Sequence, residues 1–147
     1  MRPSTILFTL HMFLVTSGVF AQSELKITKS DNTRLIYVLN EADLIAENSK
    51  EWLSIRIYKV SNGAGSAGFA NGEASHNLLI AVSEIGEAPD QSLFEIGPYI
   101  NPEVAQWIEE KEYEKTLEID YGTNDSRKTL RLKATLDEVK IDKKGKN

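Results

Sequence analysis

The sequence predicts a mainly β protein, a single-domain antiparallel β-sandwich of about seven strands with one short helix. Several short stretches alternate polar and apolar residues with the period of two that is typical of strands. Turn-forming Gly, Asn, Asp and Pro residues separate these stretches at short intervals. No stretch combines a strand with a long amphipathic helix, as a parallel α/β sheet would require.

Residues 1–21 have the features of a secretory signal: Arg2 precedes an apolar stretch, and Val19 and Ala21 occupy the positions that signal peptidase prefers. The apolar stretch is shorter than the roughly 20 residues that cross a bilayer. We therefore expect a secreted protein, periplasmic or extracellular, that does not insert into a membrane after signal cleavage. The expected domain is 22–142, followed by a Lys-rich flexible tail at 143–147.

The composition argues against several function classes. The chain has no Cys, which excludes disulfides and a lipidated N-terminal cysteine and is more typical of a bacterial envelope protein than of a small animal extracellular domain. Its net charge is −5 at pH 7, and Arg2 is the only charged residue of 1–21, so the remainder is more acidic still. An acidic surface repels phosphate backbones, and we expect no nucleic-acid partner.

The first half of the chain is organised around two predicted strands. Residues 24–39 predict an opening hairpin, and 40–50 predict a connection with a helical turn at 42–46. Residues 52–60 alternate as a strand does, and 78–85 read as a strand buried on both faces. We expect these two strands to pair in the middle of a sheet. The Gly-rich arm that joins them, 61–77, is then the favoured place for recognition.

A short strand at 92–96, closed by a Gly-Pro pair, is predicted next. Asn101 and Pro102 then indicate the start of a short helix, with Asn as N-cap and Pro at the first helical position. Val104 and Trp107 follow at helical spacing. An irregular strand is the alternative interpretation.

The last predicted hairpin joins strands at 116–121 and 130–141. The alternation shifts its phase after Leu136, near Asp137. A β-bulge there would insert one residue and keep Val139 and Ile141 facing the core.

Gly63, Gly65 and Gly68 form a G-x-G-x-x-G pattern after a predicted strand. Dinucleotide binding also requires a helix that begins within the glycines, and Gly72 would break such a helix. We interpret the glycines as part of a curled β connection that uses positive φ angles. No cofactor is predicted from this motif.

His76 is the only histidine outside the signal, so a catalytic triad or a zinc site would have to use it. We favour a simpler interpretation, in which it opens a strand and bonds to backbone. Ca²⁺ is the one candidate ion, since Asp120, Asn124 and Asp125 could offer oxygen ligands, although turn chemistry is favoured for them. The carboxylates of 109–114 interleave with Lys111 and Lys115 as a solvated face does.

The aromatic side chains are the best candidates for ligand contacts. Strand alternation places Trp52 and Tyr58 on the face opposite the core. If that face is exposed to solvent, these rings would form a platform for sugar rings or a partner protein. If another element covers the face, Trp52 would belong to the core, and we favour this interpretation for Trp52. The candidate ligand-binding residues are Trp52, Tyr58, His76, Tyr99 and Trp107.

These observations together predict a secreted, non-catalytic binding or structural module of the bacterial envelope or the extracellular space, with an unknown protein or glycan as partner. One alternative is a carbohydrate-binding module that uses exposed aromatic rings. A second alternative is a small secreted hydrolase that uses His76 or a carboxylate pair.

Overall fold

The structure, a computed structural model, describes residues 29–62 and 73–142. The predicted signal, the first strand of the opening hairpin up to residue 28, the glycines of the arm and the Lys-rich tail lie outside the described residues. The described residues from Asp31 onward belong to one compact unit.

The protein is mainly β, with eight antiparallel strands in two sheets and one short helix, α1. Each sheet has four strands, and within each sheet every strand pairs with the next one along the chain. The predicted class is therefore confirmed, with eight strands instead of about seven. The elements are α1 (Thr33–Glu41), β1 (Asp43–Lys50), β2 (Leu53–Ser61), β3 (Ser75–Glu84), β4 (Gln91–Ile100), β5 (Glu103–Glu110), β6 (Lys115–Thr123), β7 (Ser126–Ala134) and β8 (Val139–Ile141).

Both sheets contribute to one hydrophobic core. The predicted central pair is confirmed, because β2 and β3 lie in the middle of the first sheet. Alternate residues of these strands point inward, and Leu79 is buried on the opposite face as well. The core consists of Leu53, Ile55, Ile57, Leu78, Ile80, Val82, Leu117, Ile119, Leu132 and Ala134.

Lys115 connects the two sheets at one end of this core. It is the first residue of β6, it occupies an inward position, and its side chain is fully buried. Its Nζ donates a hydrogen bond to the Lys50 carbonyl, at the end of β1, over 3.0 Å. Burial lowers the pKa of this amine, against the favourable charges of Glu110 and Glu51. The expected solvated position of Lys115 is therefore wrong.

The opening hairpin predicted at 24–39 is wrong where it is described, since Thr33–Glu41 forms helix α1. The Asn32 side chain caps the helix by accepting a hydrogen bond from the Leu35 amide over 2.9 Å. Asn32, within the predicted hairpin, thus supplies a helix cap. A short apolar run by itself fits both secondary structures.

The connection predicted at 40–50 is also wrong, because Asp43–Lys50 forms β1. The register of β1 against β2 shifts between Leu44 and Ala46, and this irregularity interrupts the period of two. Asn48, in the second half of the predicted connection, is buried inside the strand.

The helix predicted after Asn101 is a strand, β5. Asn101 has a φ of +42° and forms the turn before β5, a conformation that Asn tolerates better than most residues. A register shift between Val104 and Gln106 brings both Val104 and Trp107 to the core although they are three residues apart. Irregular pairing therefore produced an apparent helical spacing, and the irregular strand is the correct alternative.

Strand β4 continues past its predicted end. It passes through Gly97, with a φ of +131°, and a cis Gly97-Pro98 peptide bond to Ile100. The pairing of β4 with β3 shifts register between His76 and Leu78, opposite this point. Tyr99 returns to the inner side of the sheet and packs against the core.

The bulge predicted near Asp137 is a turn. Strand β7 ends at Ala134, and the Thr135 amide donates to the Glu138 carbonyl over 2.9 Å before β8 begins. Val139 packs against the core as expected, but Ile141 is 60% exposed.

Candidate functional site

The structure brings two of the five candidate residues together. His76 of β3 and Tyr99 of β4 are register partners at the end of the first sheet where Ser61 ends β2. Trp52 lies at the other end, in the turn between β1 and β2. Tyr58 is on the outer face of the first sheet, and Trp107 packs against the core from β5.

Tyr99 meets a tyrosine of the second sheet, Tyr121 of β6. The two ring centroids are 4.8 Å apart with an interplanar angle of 54°. Tyr121 extends the inward row of Leu117 and Ile119, so strand alternation places it at the rim of the core. We call this end of the sandwich, where Tyr99 and Tyr121 face each other across the two sheets, the tyrosine mouth.

A cavity of about 300 Å³ opens beside the two rings. Its lining combines aromatic surface, two aliphatic hydroxyls and one cation, and it includes no carboxylate. The lining residues are Pro98, Tyr99, Ile100, Tyr121, Gly122, Thr123, Ser126 and Lys128.

Lys128 supplies the positive charge of the tyrosine mouth. It is the register partner of Tyr121 on β7, which places both side chains on the same face of the second sheet. Lys128 is exposed, and within 29–62 and 73–142 it forms no ion pair. Its ammonium group is therefore available to an anionic ligand.

The rim of the mouth is fixed by contacts between neighbouring loops. The buried carboxylate of Glu73 accepts a hydrogen bond from the Asn124 amide over 3.2 Å, in the turn between β6 and β7. Arg127 donates to the Asn101 carbonyl over 2.9 Å and forms an ion pair with Glu103 at 3.3 Å. A rim held in this way loses little conformational freedom when a ligand binds.

Gly122 lets the β6–β7 hairpin approach closely at this rim. Its φ is +121°, and a Cβ at this position would lie 2.2 Å from the Ser126 carbonyl oxygen. Only glycine fits this backbone without a shift of the turn.

His76 lies beside Tyr99 as an uncharged group. Burial, and secondly the positive charge of Lys59, lower the pKa of the imidazole, and a bond to the Ala74 backbone only partly opposes this. Its Nδ1 atom is buried without a hydrogen-bond partner in the described part of the chain. A triad would need a nucleophile or a carboxylate at a ring nitrogen, and the described residues place none at Nδ1.

Tyr99 is a neutral phenol at physiological pH. Burial and the neighbouring Tyr121 raise the pKa of its hydroxyl above the ordinary value of 10.0. At the mouth, Tyr99 therefore presents a phenol group that can donate a hydrogen bond.

Two of the three residues considered for Ca²⁺, Asp120 and Asn124, have other contacts. The Asp120 carboxylate accepts a hydrogen bond from the Thr129 hydroxyl over 2.6 Å, and the Asn124 backbone contacts Glu73. No three His, Asp or Glu side chains come together as a metal-ligand group in the residues that the structure describes.

A second concave surface lies on the outer face of the first sheet. This groove has a volume of about 390 Å³, and Tyr58 lines it together with Arg56 and Gln91. Arg56 is held by an ion pair with Glu47 at 2.9 Å. Trp52 is 54% exposed outside this groove, so the favoured interpretation of Trp52 as core is wrong.

Comparison with known protein families, curated proteins and solved structures found no match for the chain. Among the described residues, no helix is long and apolar enough to span a membrane.

Sequence reasoning missed Tyr121 and Lys128. The signal for Tyr121 was present, because it ends the inward row of β6 and a row that ends in an aromatic residue places that ring at the rim. The signal for Lys128 depended on its register with Tyr121, which the hairpin turn sets.

Proposed function

We propose that this protein is a non-catalytic binding module, exported by its N-terminal segment, that takes its ligand at the tyrosine mouth. The observation that carries the proposal is the pair of rings, Tyr99 and Tyr121, that two different sheets bring together beside a cavity. Export is supported by the sequence pattern of residues 1–21.

The chemistry of the mouth suits a small ring ligand. Tyrosine rings offer a flat apolar surface together with a hydroxyl, and Thr123 and Ser126 add further polar groups. The cavity volume, about 300 Å³, is at the lower limit of small-molecule sites, so one ring of a larger ligand would fill it. Contacts of Glu73 and Arg127 hold the rim in place before binding.

A carbohydrate-binding module that uses the outer groove is the second candidate function. The groove combines the ring of Tyr58 with Arg56 and Gln91, which are suited to hydrogen bonds with sugar hydroxyls. Tyr58 is separated from the mouth by the thickness of the first sheet, because it faces away from the core. The two candidates are therefore separable by mutation.

An NMR titration of the purified protein tests the proposal. The probes are chitohexaose, cellohexaose, xylohexaose and trigalacturonate, and the readout is the backbone amide spectrum. We expect at least one probe to shift the amides of Tyr99, Tyr121 and Gly122, and Tyr121→Ala to abolish these shifts. Tyr113→Ala is the control, since Tyr113 is 57% exposed in the turn between β5 and β6.

Three outcomes would contradict the proposal. If shifts centre on Tyr58 and disappear in Tyr58→Ala, the outer groove is the binding site. If no probe shifts the mouth amides, the proposed site is wrong. If a probe is cleaved and His76→Gln abolishes the cleavage, the protein is the hydrolase of the second alternative.

A further inference from the structure

We propose that the tyrosine mouth selects a sugar ring that carries a carboxylate, a uronic acid unit, over the same ring without the charge. This inference rests on the proposed function, because it names the ligand class of the same site. It follows from the charge of the lining, the arrangement of the rings and the charge of the whole chain.

The lining carries one positive charge and no negative charge. Lys128 is its only charged residue, and its ammonium has no ion pair among the described residues. Two carboxylates of the rim are engaged by other groups, Glu73 with the Asn124 amide and Glu103 with Arg127. A ligand carboxylate would therefore meet Lys128 without a competing anion in the lining.

The remaining polar groups of the lining favour an anion with a ring attached. The Tyr99 phenol carries its proton at neutral pH, and burial raises its pKa further, so it can donate a hydrogen bond to a carboxylate. The hydroxyls of Thr123 and Ser126 can donate as well. The two tilted tyrosine rings offer apolar surface to the face of a sugar, which a simple anion such as phosphate cannot use.

The acidity of the whole chain limits the ligands of the mouth to those with a short anionic stretch. A net charge of −5 repels long polyanions at a distance, and the attraction at Lys128 acts only locally. The predicted ligand is therefore a uronic acid residue at or near the end of an oligosaccharide, or in a stretch with few charges.

Matched ligands and matched variants test the inference. The probes are trigalacturonate, galacturonic acid and fully methyl-esterified trigalacturonate, which keeps the rings and removes the charges. We expect the two charged probes to shift the amides of Tyr99 and Tyr121, with an affinity for trigalacturonate about tenfold above that for its ester. Lys128→Met should remove this preference, so that trigalacturonate and its ester bind the variant with about equal affinity.

Lys140→Met is the control variant. Lys140 is an exposed lysine of β8, and its register partner on β7 is Lys133, which does not belong to the mouth. This variant should leave the preference intact, and thermal melts should show that both variants are folded. Added salt should lower the affinity of the charged probe and leave the affinity of the ester unchanged.

The possible failures are distinguishable. If the ester and the acid bind the mouth equally and Lys128→Met changes neither, the charge selectivity is wrong while the proposed function stands. If inorganic phosphate displaces trigalacturonate at equal concentration, the mouth is a simple anion site and the ring requirement is wrong. If none of the probes shifts the mouth amides, both the inference and the proposed site are wrong.

Discussion

Gly122 is the residue at which the backbone of the tyrosine mouth tolerates least change. Gly122→Ala would place a Cβ 2.2 Å from the Ser126 carbonyl oxygen at a φ of +121°. We expect a loss of about 2 kcal/mol or more in the free energy of unfolding, measured by urea denaturation. Gly86→Ala is the control because a Cβ there meets no atom within 4 Å, and equal losses in both variants would contradict the argument.

His76 makes stability depend on pH. Its pKa is lowered in the folded protein, so the unfolded chain binds the proton more readily as the pH falls through the ordinary value of 6.5. The stabilisation is therefore complete above that value and is lost as the pH falls toward the folded-state pKa.

Urea denaturation midpoints between about pH 7.5 and about pH 5 measure this dependence, above the range in which carboxylates titrate. We expect the midpoint of the wild type to fall with pH in this interval, and the slope to flatten in His76→Gln. An identical slope in the variant would show that His76 is not the group responsible.

The sequence predicted individual residues well where strand alternation was regular. Leu53, Ile55 and Ile57 face the core as the pattern indicated, and Tyr58 faces away. Alternation does not report the surroundings of residues at or just beyond a strand end, and Trp52 and Lys115 are two examples. Trp52 passes into an exposed turn, while Lys115 reaches a backbone carbonyl of the other sheet, a contact between residues 65 apart in the sequence.

At the scale of elements, α1 is the part of the described chain with the weakest packing. None of its residues is buried, and Leu39 is 74% exposed. The described contacts that attach it to the first sheet include an ion pair of Arg34 with Glu95 at 2.7 Å and a hydrogen bond from the Tyr37 hydroxyl to the Ser61 carbonyl over 2.9 Å. Exposed pairs of this kind contribute little to stability.

Helix α1 should therefore open independently of the sheets. In hydrogen exchange, we expect its amides to exchange faster than those of β2 and β3. Tyr37→Phe should accelerate exchange in α1 further while changing the global free energy of unfolding by about 1 kcal/mol or less. Tyr113→Phe serves as the control. Protection of α1 equal to that of β3 would contradict the prediction.

Element type was predictable where pairing is regular and failed where it is irregular. The central strands β2 and β3 pair without a shift, and both were recognised. Strands β1 and β5 contain register shifts, and both were misread as connection or helix. A shift changes which residues face the core, and only the partner strand determines where it falls.

For the whole molecule, the shared core predicts that the two sheets unfold together. Leu117 of β6 is fully buried in the cluster that also contains Ile57 of β2. Leu117→Ala should lower the free energy of unfolding by about 2–5 kcal/mol. Leu93→Ala should change it by only about 0.5 kcal/mol, because Leu93 is 66% exposed.

The fluorescence of Trp52 and of Trp107 should follow this transition with one midpoint, since the first reports on the β1–β2 turn and the second on β5. Single-tryptophan variants separate the two signals. Two distinct midpoints would show that the sheets are independent units.

The class of fold was predictable from the sequence, and the partition of strands between sheets was not. Alternation and turn spacing indicate antiparallel neighbours, but they do not say that the chain changes sheets at the turn containing Asn101. The tyrosine mouth depends on this change, because it places Tyr99 and Tyr121 in different sheets. That is the physical reason why Tyr99 could be nominated by itself, whereas its contact with Tyr121 could not be foreseen.

The contact of Lys115 with the Lys50 carbonyl has a consequence for chemical labelling. Acylating reagents need an accessible, unprotonated amine. The lowered pKa of Lys115 favours the unprotonated form, but its side chain is fully buried, so the reagent reaches it only when the structure opens. In brief treatment with acetic anhydride, mass spectrometry should find exposed lysines such as Lys140 modified while Lys115 remains free. In mild denaturant, the fraction of molecules acetylated at Lys115 would then measure how often the two sheets separate.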